Sequence, residues 1–317
     1  MSNNDNNTEL PVLKELVQDI LKEQRLKRRW GIFFKCLFAL LIVIFLFVLK
    51  GIGSGTEKAV PNKPHVALIE VKGKIASSSS ASADHLIRSL NKAFDEPQVQ
   101  GIILKINSPG GSPVQSGMVY DEIIRLKKEH PDKPVYAVAE EICASGSYYI
   151  AAAADKIFVD KASLVGSIGV LINGFGVTGL MDKVGIERRL LTAGKYKGFL
   201  DPFSPQTPEQ TAYAKEMLKK IHSQFITAVK QGRGKRLKQD DRIFTGLVFV
   251  GEDAVSLGLA DGFGTVQRIA DEEIKCKDVV DYSEKEKFGD RLLKKFGASV
   301  GYGAVHAGIN LDAFHLE

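Results

Sequence analysis

Ser145 stands in residues 143–149 (CASGSYY), where a strand-like run passes into a helix of small residues. A serine flanked by Ala and Gly at such a junction is typical of a nucleophile turn, in which the hydroxyl attacks a carbonyl carbon. The segment differs from the G-x-S-x-G elbow of the α/β-hydrolases. A serine that only caps a helix has the same surroundings, so both roles stay open on this segment alone.

A second junction between a strand and a helix, residues 107–112 (NSPGGS), carries adjacent glycines. Because glycine has no Cβ to block the approach, its backbone N–H can point at a ligand. The N–H groups of Gly111 and Gly146 could therefore form an oxyanion hole beside Ser145. A plain glycine turn is the alternative interpretation of these residues.

A serine nucleophile needs a base, and none of the six histidines lies in an evident catalytic loop. Lysine is the other option, although it accepts a proton near neutrality only where burial lowers its pKa from about 10.4. Lys195 and Lys197 lie in residues 194–198 (GKYKG), after a predicted strand at 188–191. Solvated loop charges are the ordinary role of such lysines, so the segment alone does not choose between them.

Strand-like and helix-like segments alternate through the part of the chain that carries these residues. Strands are predicted at 65–75, 99–106, 134–139, 156–159, 165–172 and 188–191. Helices are predicted between them, and Thr207, Pro208 and Gln210 form a capping box that begins a long helix ending near Gly232. The alternation predicts an α/β fold with a largely parallel sheet and flanking helices.

An apolar run near the start of the chain, residues 31–49, is interrupted only by Lys35. About 19 residues at roughly 1.5 Å each span about 29 Å, close to the hydrocarbon thickness of a membrane. We therefore expect a cytoplasmic segment at 1–29, a transmembrane anchor at 30–49, a linker at 50–63, a catalytic domain at 64–284 and a tail at 285–317 that assists assembly. The basic residues 27–29 place the N-terminus in the cytoplasm. A cleaved signal peptide is the alternative.

Charge and cysteine content exclude other classes of function. The net charge is +5, and residues 1–50 supply +3 of it with eight basic and five acidic side chains. The remainder is nearly neutral, so we expect no nucleic-acid partner. The three cysteines lack the spacing of a zinc site or a disulfide framework, and we expect neither a metal nor a cofactor.

Several short motifs occur in one order along the chain. They are NSPGG at 107–111, ASGSYY at 144–149, ADKI at 154–157, GSIGV at 166–170 and GKYK at 194–197, followed by FTG at 244–246 and GLAD at 258–261. This order resembles the short signal peptide peptidases, which are serine proteases of the ClpP/crotonase superfamily. The resemblance covers roughly residues 65–270, and it implies a sheet of the ClpP/crotonase kind.

The resemblance also implies a role for each site residue. Ser145 is the nucleophile, and the second lysine of GKYKG, Lys197, is its general base. Ser167 lies near that lysine and orients it. Gly111 and Gly146 supply the oxyanion N–H groups.

The implied function is an endopeptidase that cleaves apolar peptides, such as remnant signal peptides. It would lie in a bacterial inner membrane with its catalytic domain in the periplasm or outside the cell. The implied partners are peptides, membrane lipid and further copies of the chain, because the serine and lysine of one site in that family come from different halves or subunits. A subunit interface would also desolvate the lysine. A non-catalytic membrane scaffold and acyl-CoA chemistry of the crotonase kind are the alternatives.

Overall fold

The computed structural model describes residues 6–53 and 62–284, and the side chains of 21–45 and 62–284. Helix α1 (Asn6–Gly53) belongs to one unit, and residues 62–284 belong to another. Within the described residues, no helix combines the length and the apolar character that crossing a membrane requires. The anchor predicted at 30–49 is therefore not confirmed. The predicted tail at 285–317 and residues 54–61 of the predicted linker lie outside the described residues.

The larger unit alternates strands and helices along most of its length. Its strands are β1 (His65–Lys72), β2 (Val99–Ser108), β3 (Val135–Ala144), β4 (Lys156–Val159), β5 (Leu164–Gly166), β6 (Val248–Val250), β7 (Gly262–Phe263) and β8 (Val279–Asp281). Its helices are α2 (Ala83–Asp95), α3 (Pro113–Glu129), α4 (Gly146–Ala151), α5 (Thr178–Val184), α6 (Pro208–Arg233), α7 (Gly251–Ser256) and α8 (Val266–Glu272). Two short 3₁₀ turns follow α6, at Gly234–Arg236 and Asp241–Phe244.

The strands form one sheet in the order β6-β5-β3-β2-β1-β8, and β4 pairs with both β3 and β7. The pairings are parallel except for that between β5 and β6, which is antiparallel. This arrangement confirms the predicted α/β class with a largely parallel sheet. Parallel strands end at the same edge, so the carboxyl ends of β2 and β3 bring their following loops together.

Both faces of the sheet are covered by helices. Side chains along a strand alternate between the two faces, so neighbouring residues pack into different cores. Ile102 of β2 packs into the larger core with residues of α2, α3, α4 and α6. Its neighbour Ile103 packs on the opposite face with Ile269 and Ala270 of α8. The apolar run of β2 is continuous for this reason, as expected of a buried parallel strand.

The start of α6 has the predicted capping box. The Thr207 hydroxyl accepts a hydrogen bond from the Gln210 N–H at 3.2 Å, and the Gln210 side chain accepts one from the Thr207 N–H at 3.4 Å. The helix ends at Arg233, one residue beyond the predicted end.

Two predicted strands differ in the structure. The strand predicted at 165–172 is reduced to β5, and the one predicted at 188–191 is wrong, because those residues have no strand structure and are exposed. A strand forms only where a neighbouring strand offers unpaired N–H and C=O groups. The edge of β5 pairs with β6, which lies much later in the chain. Residues 188–191 therefore cannot pair with β5 at that edge.

Candidate active site

Ser145 lies at the junction between β3 and α4 with a strained backbone. Its φ of 55° and ψ of −124° fall in a region that residues with a Cβ rarely adopt. Its N–H donates to the Gly166 carbonyl at 2.8 Å, and its carbonyl accepts from the Tyr149 N–H at 3.0 Å. These bonds hold the turn from both sides. The Ser145 hydroxyl makes no helix-capping hydrogen bond, so it stays available for chemistry.

The two glycines of residues 107–112 approach this turn at very short range. A Cβ added to Gly110, whose φ is +91°, would lie 2.6 Å from the Gly146 nitrogen and 2.8 Å from the Ser145 Cβ. A Cβ added to Gly111 would lie 2.1 Å from the Ile75 carbonyl oxygen. Glycine is therefore required at both positions by contacts with other segments, which a plain glycine turn would not explain.

Two backbone N–H groups beside Ser145 have no acceptor among the hydrogen bonds of residues 62–284. Ile75 donates to the Gly110 carbonyl and accepts from the Ser112 N–H, each at 2.9 Å, which pins Gly111 and leaves its own N–H unpaired. The Gly146 N–H is the first of α4 and has no partner within the helix. The Gly111 nitrogen lies 3.2 Å from the position that a Gly146 Cβ would take. Such a pair of donors can receive an oxyanion.

Ser167 follows the end of β5, next to the nucleophile turn. Its φ is 51°, and its N–H donates to the Leu247 carbonyl at 2.8 Å. The preceding residue, Gly166, accepts the hydrogen bond from Ser145. The structure thus places Ser167, Gly111 and Gly146 in the neighbourhood of Ser145.

Lys197 lies in an exposed turn between α5 and α6. Its N–H donates to the Gly194 carbonyl at 3.1 Å. Within the described part of the chain, its side chain has no hydrogen bond or ion pair with Ser145, Ser167 or another group. The single chain therefore shows no hydrogen bond between the predicted base and the predicted nucleophile.

Lys195 is the less suitable of the two lysines. Its hydrogen bonds with Tyr196 and Glu209 raise its pKa above the ordinary value, and its Nζ lies 3.1 Å from a Glu209 carboxylate oxygen. A raised pKa keeps the ammonium protonated near neutrality, whereas a general base must be neutral.

Known proteins resemble this chain over most of the described larger unit. The sequence profile described as "Peptidase family S49" matches residues 127–279, which include Ser145 and Lys197. A putative protease of Methanocaldococcus jannaschii is 32% identical over 237 residues, covering 72% of this chain and 75% of the relative. The chain belongs to peptidase family S49. This membership confirms the resemblance drawn from the sequence motifs.

Two further relatives have different names. A putative signal peptide peptidase SppA of Enterococcus faecium is 30% identical over 233 residues, covering 71% of this chain and 67% of the relative. A protein of Brucella abortus named Na(+)/H(+) antiporter NhaA is 44% identical over 178 residues, covering 56% of this chain. The S49 chain spans about a quarter of the length of this relative and of its Brucella melitensis counterpart, at 24% of each.

Sequence reasoning missed residues of α6 that hold the site loops of this S49 chain. Glu209, at the start of α6, binds Lys195 and accepts a hydrogen bond from the Tyr196 hydroxyl. His222, further along α6, has its Nε2 3.0 Å from the Ile168 carbonyl, next to Ser167. An acidic residue in a first helical turn was the only sequence signal for Glu209, and nothing local marked His222.

The cysteine nearest to the nucleophile is chemically quiet. Burial raises the pKa of the Cys143 thiol to about 12, so the thiol stays protonated and is no rival nucleophile. Among the described residues, no group of three His, Cys, Asp or Glu side chains is placed to hold a metal ion.

Proposed function

We propose that this S49 chain is a serine endopeptidase with Ser145 as its nucleophile. The observation that carries the proposal is the strained turn at Ser145, with an uncapped hydroxyl beside the unpaired N–H groups of Gly111 and Gly146. Strain persists at functional sites where the surroundings enforce it, as the contact with Gly110 does here. An acyl transfer needs these two elements, a nucleophile and donors for the developing negative charge.

The reaction would proceed through an acyl-enzyme. The Ser145 oxygen attacks the scissile carbonyl carbon, and its proton passes to the neutral Nζ of Lys197. The carbonyl electron pair moves onto oxygen, which accepts hydrogen bonds from the N–H groups of Gly111 and Gly146. When the C–N bond breaks, the amine leaves with the proton from Lys197. Water then attacks the ester by the same sequence, which releases the acid and regenerates the serine hydroxyl.

The base would come from a neighbouring copy of the chain. Lys197 is exposed, and its turn is tied to Glu209, whereas the Ser167 loop is tied to His222. Glu209 and His222 are thirteen residues apart on α6, about 20 Å along the axis at about 1.5 Å per residue. Ser167, close to Ser145, would then orient a lysine delivered by the adjacent subunit in a ring of the ClpP/crotonase kind. An interface would also remove water from that lysine.

The substrates would be apolar peptides, including remnants of signal peptides. The relative from Enterococcus faecium named as a putative signal peptide peptidase supports this choice.

We further propose that residues 30–49 anchor the enzyme in a bacterial inner membrane with the catalytic domain outside the cytoplasm. Trp30, Phe33 and Phe34 form an exposed aromatic cluster on α1, as expected of a contact with lipid. Release of the chain by alkaline carbonate would contradict the anchor.

Mutation and covalent labelling test the catalytic proposal. A fluorophosphonate probe is expected to label the assembled wild-type enzyme and to leave Ser145→Ala unlabelled. Both Ser145→Ala and Lys197→Ala are expected to lower peptide turnover by about 10³-fold or more, as loss of a nucleophile or its base does. Lys195→Ala is the matched control and should keep most of the activity, because the Tyr196 hydroxyl still holds the turn to Glu209.

Each outcome discriminates between functions. Near-wild-type turnover by Ser145→Ala would remove that serine from the mechanism. An absence of labelling together with an absence of hydrolysis would favour a membrane scaffold. Equal loss in the two lysine variants would contradict the choice of Lys197.

A further inference from the structure

We propose that Ser147 is a positioning residue that sets the spacing between the two halves of the oxyanion hole. The inference rests on the proposed function, because the oxyanion hole is part of that proposal. The Ser147 side chain itself would touch neither the substrate nor the reacting atoms. Ser147 lies two residues after the nucleophile, in the first turn of α4, and is fully buried.

The Ser147 hydroxyl lies between the carbonyl groups that end two neighbouring strands, β2 and β3. Its Oγ is 2.7 Å from the Ser108 carbonyl oxygen and 2.9 Å from the Ala144 carbonyl oxygen. The hydroxyl has one proton, which either carbonyl can accept. Ala144 directly precedes the nucleophile, whereas Ser108 ends β2 and begins the loop of the two glycines. The shorter of the two contacts, to Ser108, links the first turn of α4 to the opposite wall of the site.

The link continues from Ser108 to the glycine loop. The Ser108 side chain is fully buried and accepts a hydrogen bond from the Gly110 N–H at 3.1 Å. Gly110 in turn packs against the Gly146 nitrogen. A displacement of Ser108 would move Gly110 and the neighbouring Gly111 N–H relative to the Gly146 N–H.

The pairing between β2 and β3 becomes irregular just before these loops begin. The pairing of β2 with β3 shifts between Ile106 and Ser108, so the ladder of main-chain bonds is irregular at this point. An irregular ladder leaves the ends of the two strands less constrained than a continuous one. The Ser147 hydroxyl bonds to the Ser108 carbonyl where this constraint is weakest. Oxyanion donors act only within about 2.7–3.1 Å of the oxygen, so a small change in their spacing matters.

Ser147→Ala tests the role, with Ser89→Ala as its control. Ser89 is also buried, lies on α2 away from the site, and accepts a hydrogen bond from the Glu284 N–H at 3.0 Å. Both variants lose one hydroxyl from the interior. The measurements are kcat and KM for an apolar peptide, the inhibition constant of a peptidyl boronate that mimics the tetrahedral intermediate, and the midpoint of thermal unfolding.

Ser147→Ala is expected to lower kcat by about tenfold with KM changed by less than about twofold, because the spacing of the donors matters most in the transition state. The boronate should bind more weakly by the same factor of about ten. Ser89→Ala should lower only the unfolding midpoint. Ser147→Gly, which also lacks the hydroxyl and needs less space, should reproduce the kinetic loss if Ser147→Ala does not fold.

The inference is overturned if the Ser147 variants lose thermal stability while kcat and boronate affinity stay at the wild-type values. That result would leave Ser147 as an ordinary buried serine without affecting the proposed function, provided that Ser145→Ala is inactive. Full activity of Ser145→Ala would instead contradict the proposed function itself.

Discussion

A residue with no reactive group packs tightly against the proposed nucleophile. Gly110 lies against the nucleophile turn so tightly that a methyl group would overlap the Ala144 carbonyl oxygen and the Gly146 nitrogen, each at 2.6 Å. Its φ of +91° adds a second penalty for any other residue. The strained backbone of Ser145 is held in place by this contact and by the hydrogen bond to Gly166.

Gly110→Ala is therefore expected to displace the nucleophile turn and to lower kcat by about 10²-fold, similar to the loss of one oxyanion donor. The matched control is Gly117→Ala on α3, where an added Cβ would contact nothing within 4 Å. That control should keep its activity and gain about 0.5–1 kcal/mol in the free energy of unfolding, because alanine is favoured over glycine within a helix. Steady-state kinetics and chemical denaturation measure both effects. Wild-type turnover in Gly110→Ala would show that the turn tolerates displacement.

Helix α6 contacts both the turn that carries Lys197 and the loop that follows Ser167. The sequence motifs alone do not show this connection. Near its start, Glu209 holds the turn that carries Lys197, through Lys195 and the Tyr196 hydroxyl. The Lys195 Nζ also lies 4.9 Å from the centre of the Tyr196 ring, so the turn has a defined shape. Further along, His222 contacts the Ile168 carbonyl beside Ser167.

Loss of the Glu209 contact should loosen the turn of the proposed base. We expect Glu209→Ala to lower kcat/KM by about tenfold, because a displaced general base contributes less to proton transfer. Glu216→Ala on the same helix is the control, since Glu216 forms an exposed ion pair with Lys220 at 2.9 Å and has no polar contact with a site loop among residues 62–284. Circular dichroism checks that α6 stays folded in both variants. Equal activity of the two variants would show that Glu209 is only a surface charge.

At the scale of the whole molecule, the segment between β5 and α6 is notable for its exposed apolar side chains. Large apolar side chains there face solvent, among them Leu171 at 79% exposed, Phe175 at 81% and Leu191 at 97%. Exposed apolar patches of this kind mark contact surfaces. The same segment carries Lys197, so an assembly that covers it would also bring the lysine into a dry environment, as the proposed shared site requires.

Complementation tests this arrangement. Ser145→Ala and Lys197→Ala subunits, each inactive alone, are mixed in equal amounts under conditions that allow exchange. In a ring whose sites lie between neighbours, about one quarter of the interfaces would combine an intact serine with an intact lysine, so activity should return to about one quarter of wild type. Exchange is checked by energy transfer between labelled subunits. Confirmed exchange without any recovered turnover would leave each chain with its own site.

The local sequence was sufficient for features that depend on neighbouring residues. The capping box at Thr207, the alternation of strands and helices, and the identity of the motif residues are properties of short segments, because caps and periodicity act over a few residues. The largely parallel sheet followed from that alternation, and the motifs were specific enough to indicate the peptidase family. The role proposed for Ser145 follows from these motifs as well.

Only the tertiary structure decided which distant residues meet. Three contacts join segments that are not adjacent in the chain: Gly110 with Ser145, Ser147 with Ser108, and Glu209 with the lysine turn. Strand register and helix packing determine such contacts, and the local pattern of a segment does not specify which other segment it will contact. The wrong strand at 188–191 has the same cause, since β6 occupies the edge of the sheet beside β5.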